Sequence, residues 1–256
     1  MRRYFAAFFL LAVASASAAT YDLQQLVGGT AAGAGCTVGA TVGSCFTIGD
    51  KIFTFTAGSL SGSGVITPPP PLTVGQFSVT PLQTGNLYGF EIIGALGAVG
   101  IGTGVSTVDL GLSYTVQTTN GLALMTDLHA ALNGTCTVIQ PDGVCLVQAS
   151  ETAVNAAGVP VGGIAVGDNV LVTNPLVVNL SNTPVTDLFL ADQSIIHVTK
   201  DIVVQANGLN AGADVSANLS VIDQYVSQVP EPGFYGALAL GLSGLTFLVR
   251  RRRRAA

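Results

Sequence analysis

The sequence predicts an all-β protein, an antiparallel β-sandwich, over its central residues 20–228. Two observations carry this. Short runs alternate apolar and polar residues with period 2, as strands with one buried face do. Gly-Asp and Asn-Gly dipeptides stand between such runs, where tight turns need them. The central span is also of a size that one sandwich fills.

In chain order, Phe46, Thr47 and Ile48 alternate, as do Ile52, Phe53, Thr54, Phe55 and Thr56, with Gly49-Asp50 as the turn between them. Pro68, Pro69, Pro70 and Pro71 follow. Such a run favours polyproline II and cannot join a central ladder, so a stiff loop between strands is expected. Residues 94–104 are rich in glycine and read as a mobile apolar loop or a closely packed strand. They are no phosphate cradle, because the Gly-x-Gly-x-x-Gly spacing and a P-loop lysine are missing. Residues 110–118 alternate and end before Asn120-Gly121. Residues 122–132 read as one or two helical turns with Asp127 near their start. Residues 195–199 alternate again, and residues 202–205 form an apolar run before Asn207-Gly208. Residues 216–226 suit either a strand or an exposed helix.

Charge is scarce and segregated. The chain has 256 residues, 49% of them hydrophobic and only 9% charged, against about a quarter in an average soluble domain. Thr, Ser, Asn and Gln must therefore fill most solvent-facing strand positions. Of the nine basic residues, Arg2, Arg3, Arg250, Arg251, Arg252, Arg253 and Arg254 lie at the ends, so only Lys51 and Lys200 oppose the fourteen acids found between Asp22 and Glu231. So acidic a middle excludes a nucleic-acid partner, which needs a basic patch to neutralise phosphates.

The four cysteines form two Cys-x8-Cys pairs, Cys36 with Cys45 and Cys136 with Cys145. Eight intervening residues bring two cysteines opposite each other across a hairpin, and Pro141-Asp142-Gly143 is a suitable turn for the second, with Gly143 taking the positive φ. In an oxidising compartment an even cysteine number reads as disulfides, here two local ones. Zinc is disfavoured by the spacing and by the presence of just two histidines, His129 and His197. Both pairs open as Cys-Thr-Val, and Gly49-Asp50 and Gly167-Asp168 echo one another, which hints at two related halves.

No Gly-x-Ser-x-Gly elbow and no His-Glu-x-x-His occurs. His197 sits opposite the face of Ile196 and Val198 and reads as a surface histidine; His129 has Asp127 nearby but no constellation. The chain is expected to be non-catalytic and to need no cofactor. Calcium held by loop carboxylates is the one ion its composition suits, although no Asp-x-Asp-x-Asp-Gly loop is present.

The two ends are addresses. Arg2 and Arg3, an apolar run over residues 4–13 and the small residues Ala14, Ser15, Ala16, Ser17, Ala18 and Ala19 make residues 1–19 a secretory signal peptide, with a mature chain starting near Ala19 or Thr20. At the other end, Val229, Pro230, Glu231 and Pro232 precede an uncharged apolar segment, residues 233–249, and then the arginine block 250–254. Seventeen residues of helix span roughly 26 Å, at the short end of what crosses a bilayer core. The arginines act as a cytoplasmic stop-transfer lock, leaving the acidic middle outside.

This tripartite tail, residues 229–256, resembles the PEP-CTERM sorting signal of Gram-negative bacteria. The resemblance implies recognition by exosortase, a membrane-embedded enzyme that cleaves near the Pro-Glu-Pro. It further implies anchoring in the inner membrane before processing, then delivery to the cell surface or the extracellular matrix of biofilms. The same tail is labelled ice-binding-like in some proteins. Residues 45–56, 112–117 and 198–202 are similar to segments in the exported domains of other such proteins, without an assigned activity. The sequence is thus read as a non-catalytic cohesive protein whose partners are exosortase, the membrane and exopolysaccharide. A ligand- or ice-binding adhesin is the alternative, and a secreted hydrolase the second alternative.

Overall fold

The computed structural model describes residues 19–31, 44–119, 124–140, 142–173, 176–183, 185–228 and Ser243. Residues 1–18 of the expected signal peptide, Cys36, the motif Val229, Pro230, Glu231 and Pro232, all of the apolar segment but Ser243, and Arg250, Arg251, Arg252, Arg253 and Arg254 lie outside the described residues. Among the described residues no helix is long and apolar enough to cross a membrane.

In chain order the elements are β1 (Tyr21–Asp22), α1 (Leu23–Val27), β2 (Cys45–Ile48), β3 (Lys51–Ser63), β4 (Val65–Thr67), a 3-10 turn (Val74–Gln76), β5 (Ser78–Thr84), β6 (Leu87–Ile101) and β7 (Val105–Thr118). The second half adds β8 (Met125–Gln140), β9 (Gly143–Asn155), β10 (Pro160–Thr173), β11 (Leu176–Thr183), β12 (Val185–Gln193), β13 (Ile195–Gly208) and β14 (Asp214–Gln228). The first sheet runs β1-β5-β6-β14-β8-β12 with β4 beside β6; the second runs β11-β10-β9-β13-β7-β3-β2. Every pairing is antiparallel. The fold is all-β, and the two sheets pack as a sandwich.

The period-2 pattern decides which side chains enter the core. In β7, Ser106, Val108, Leu110, Leu112, Tyr114, Val116 and Thr118 are buried, while the residues between them are less so. Phe90 of β6 carries the contact between sheets. Its ring meets Phe53, Phe55 and Tyr114 of the second sheet edge-on at centroid distances of 5.6, 5.3 and 5.2 Å, and Phe46 at 6.2 Å. Edge-to-face geometry aligns the positive ring rim with a negative face.

Gly49-Asp50 is the tight turn of the β2–β3 hairpin, closed by the pairing of Ile48 with Lys51. Gly49 takes φ +57°, and a side chain there would run into the Tyr88 ring. The proline run lies outside any ladder, with the Thr67–Pro68 and Pro70–Pro71 bonds cis.

Several expectations are corrected. Residues 125–132 are strand, not helix, because Leu128 and Ala130 enter the core while Asp127 and His129 face outward. Where the sequence left two alternatives open, the strand holds: the glycine-rich residues 94–101 belong to β6, and residues 216–226 to β14. Gly49-Asp50 is a turn whereas Gly167-Asp168 lies inside β10, paired with Gln148 and Val147, so the echo does not mark equivalent positions.

Cys136 and Cys145 are bonded, with Cα atoms 5.7 Å apart. They do not face each other across a hairpin ladder. β8 pairs with β12 and β14, and β9 with β10 and β13, so the disulfide crosses from one sheet to the other. Asp142, at φ +73°, takes the left-handed conformation expected of Gly143; Gly143 opens β9, where a side chain would strike Val215. Cys45 is also disulfide-bonded. Replacing Cys136 and Cys145 together with alanine is expected to lower stability by about 2–3 kcal/mol through the lost constraint on the unfolded chain, measured by urea unfolding.

Candidate functional site

The surface of the domain is set by where its two lysines go. In the fold both are fully buried. Lys51 donates to Asp50 Oδ1 at 2.6 Å and to Gln228 Oε1, and lies 5.2 Å from the centroid of the Tyr88 ring. It thereby ties the β2–β3 turn of the second sheet to the end of β14 in the first, where the chain leaves for its tail. Lys200 points into the core and pairs with Glu151, both side chains at 0% exposure. Since all arginines lie in the terminal segments, residues 20–228 present no lysine or arginine to solvent.

The outer face of the second sheet carries hydroxyls and amides, interspersed with aliphatic positions such as Leu146, Val154 and Val203. Ser113 of β7 lies directly opposite Thr199 of β13, which lies opposite Thr152 of β9. One row along, Thr54 faces Thr115, which faces His197. Thr107 faces Gln205, and Gln205 Nε2 donates to Thr107 Oγ1 at 3.2 Å. Ser150 faces Asp201, and Gln148 faces Val203. Strand spacing and rise place these groups on a lattice of roughly 4.8 by 6.8 Å. His197 is exposed, as expected, and shares a 2.8 Å hydrogen bond with Thr115.

The sequence of any single strand does not reveal these rows. The rows run across strands, and only the register joins them. The available signal was the alternating polar set of β7, Thr107, Asp109, Ser113, Thr115 and Gln117, on one strand face.

The outer face of the first sheet is more acidic. Glu91 of β6 stands opposite Asp223 of β14. Tyr225 stands opposite His129, and His129 opposite Asp187. His129 Nδ1 contacts the Asp187 carboxylate, and the imidazole lies 5.9 Å from the Tyr225 ring. The acid that pairs with His129 is thus Asp187, not Asp127, which accepts from the backbone N–H of Ser227. His129 and His197 lie on opposite outer faces and do not converge. Among the described residues no group of three or more His, Cys, Asp or Glu is placed to hold a metal ion. A shallow depression of about 430 Å³ beside α1 is lined by Asp22, Gln24, Gln25, Gly28 and Thr30, none of them an aromatic or a histidine.

Several outward carboxyls are held above their ordinary pKa. Glu91 is raised by partial burial and then by the Asp223 charge; Asp223 is raised by partial burial; Asp109 is raised by partial burial, then by its hydrogen bond to Asp201 and that residue's charge. A carboxyl with a raised pKa in the fold holds its proton more tightly there than in the unfolded chain. Its stability contribution is present at acid pH and lost as pH rises through the folded pKa. The melting temperature is therefore expected to rise as pH falls from neutrality towards the ordinary carboxyl range, about 4, and Glu91→Gln to flatten that slope in a pH series of thermal unfolding.

No protein-family model matches the chain, and no curated protein does. Among solved structures, a DUF4465 family protein from Bacteroides caccae is similar at 8% identity over 57% of this chain and 86% of that one, with a TM-score of 0.21. A loop-swap mutant of the Xyn11A of Necallimastix patriciarum is similar at 6% identity over 57% and 94%, TM-score 0.19. The VP2 protein of infectious bursal disease virus follows at 13% identity over 68% and 58%, TM-score 0.12. At such TM-scores none of them defines the fold, which rests on the strand pairing.

Proposed function

We propose that this chain is an exported, non-catalytic cohesive protein of the cell surface or extracellular matrix of a Gram-negative bacterium. Its signal peptide sends it across the inner membrane. Its tail, resembling a PEP-CTERM signal, holds it there by residues 233–249 and the arginine block until exosortase processes it near Pro230, Glu231 and Pro232. The domain then contacts exopolysaccharide through the outer face of the second sheet.

The observation that carries the cohesive half is the hydroxyl and amide lattice of that face, on a domain whose two lysines are both buried. Hydroxyls and amides both donate and accept, and so match a hydroxylated polymer. A surface without lysine or arginine does not seek polyanions by charge, so the contact is one of hydrogen bonding over area.

The Ser113–Thr199–Thr152 row also favours the second reading, a ligand- or ice-binding adhesin. Against it, Asp109, Asp201 and His197 break the lattice with ionisable groups. Thermal hysteresis of the purified protein separates the two readings. A secreted hydrolase receives less support, since the two histidines lie on opposite faces.

The delivery half is tested by expressing the full chain with and without an exosortase, fractionating the cells and identifying the C-terminus by mass spectrometry. The expected result is loss of Arg250, Arg251, Arg252, Arg253 and Arg254, with release from the inner membrane, only when exosortase is present. Retention of the arginines in both strains would sink the sorting reading and leave the cohesive one standing.

A further inference from the structure

The Lys200–Glu151 pair differs from the other buried lysine in how little surrounds it. Lys51 has Asp50, Gln228 and the Tyr88 ring about its ammonium. Lys200 Nζ meets Glu151 Oε1 as an ion pair, and no further partner of the ammonium is found in the described core. An ammonium has three N–H groups to satisfy and a carboxylate about four lone-pair directions, so an isolated ion pair here leaves most of that capacity desolvated and unmet, at heavy cost. The neighbours relieve it only in part, Gln224 by a side-chain hydrogen bond to Glu151 and His129 by its charge. The Tyr114 hydroxyl is buried without a partner, and Gln224 directs its amide N–H groups to the carbonyls of His129 and Tyr225.

Position brings the two end groups together. Lys200 of β13 and Glu151 of β9 are direct cross-strand partners, both on the inward face and both at 0% exposure. Holding a nucleophile and an acyl carbon side by side raises their effective concentration, which reaches on the order of 10⁵–10⁸ M for well-oriented pairs.

We propose that Lys200 and Glu151 are joined by an amide bond between Lys200 Nζ and Glu151 Cδ, formed by condensation inside the folded core. The ammonium first passes a proton to the carboxylate, which removes both charges. The freed lone pair on Nζ attacks Cδ, and the C–N bond forms. The carboxyl hydroxyl then leaves with a proton from nitrogen as one water molecule, so no oxidant, reductant or co-reactant is needed. In water the hydrated ions oppose this step; in the core that hydration is already lost. The product carries one N–H and one C=O in place of two ions, and it cross-links adjacent central strands of the second sheet independently of the Cys136–Cys145 bridge.

The test uses the full chain purified under native conditions, then reduced, alkylated, denatured and digested with trypsin followed by chymotrypsin. Lys51 is the internal control. The expected result is cleavage after Lys51 but not after Lys200, with a branched peptide joining the segments that carry Glu151 and Lys200, lighter than their sum by one water. Lys200→Arg cannot form the amide, so it restores cleavage at position 200 and the unbranched masses, and it unfolds at a lower temperature. Should Lys200→Arg fail to fold, the wild-type digest decides alone. Cleavage of the wild-type chain after Lys200, with the Glu151 peptide at its full unlinked mass, overturns the proposal.

Discussion

Phe90→Ala is expected to lower the unfolding free energy by about 3–5 kcal/mol. Phe90 is fully buried, and the four rings it meets edge-on, Phe46, Phe53, Phe55 and Tyr114, all belong to the second sheet. Truncation removes the transfer free energy of a whole ring and leaves a cavity between layers, where long paired strands limit collapse. Four edge or tilted ring contacts are lost with it. Urea unfolding followed by far-ultraviolet circular dichroism measures the effect. Ile93→Ala is the control: Ile93 is on the same strand but 40% exposed, and its change should fall well below that of Phe90→Ala.

Replacing Ser113, Thr152 and Thr199 together with alanine is expected to weaken polymer binding by roughly ten- to a thousand-fold. The estimate follows from about 0.5–1.5 kcal/mol for each hydrogen bond lost, with tenfold in affinity per about 1.4 kcal/mol. The fold should tolerate the change. All three side chains face outward, and none hydrogen-bonds another side chain among the described contacts. Unchanged melting with lost binding assigns the row to the contact, whereas unchanged binding removes it from the site.

Much of the fold was legible from residues. Alternation placed β3, β7 and β13, and the Gly49-Asp50 turn closed its hairpin as read. The low charge forecast a hydroxyl- and amide-rich exterior. What the residues withheld was layer and register. The spacing of Cys136 and Cys145 reveals a loop that can close, but not that the chain changes sheets between them. Residues 125–132 carry alanine, leucine and histidine at spacings a helix would also accept; pairing with β14 on one side and β12 on the other makes them strand. A lone lysine in a polar-looking stretch is assigned to solvent by default. Lys200 sits instead on the Val198 and Ile202 face of β13, where its partner Glu151, 49 positions earlier, becomes a neighbour only through the β9–β13 register. The hydroxyl rows share that cause, since each strand contributes one or two groups and the sheet makes the lattice.

The most direct test of cohesion is equilibrium binding of the full chain to exopolysaccharide from exosortase-bearing cells, measured at low and at high ionic strength. Hydrogen bonding over a face without lysine or arginine predicts saturable binding that persists at high salt, where screening lengths shrink to about 3 Å. No binding, or binding that disappears as salt is raised, would contradict it.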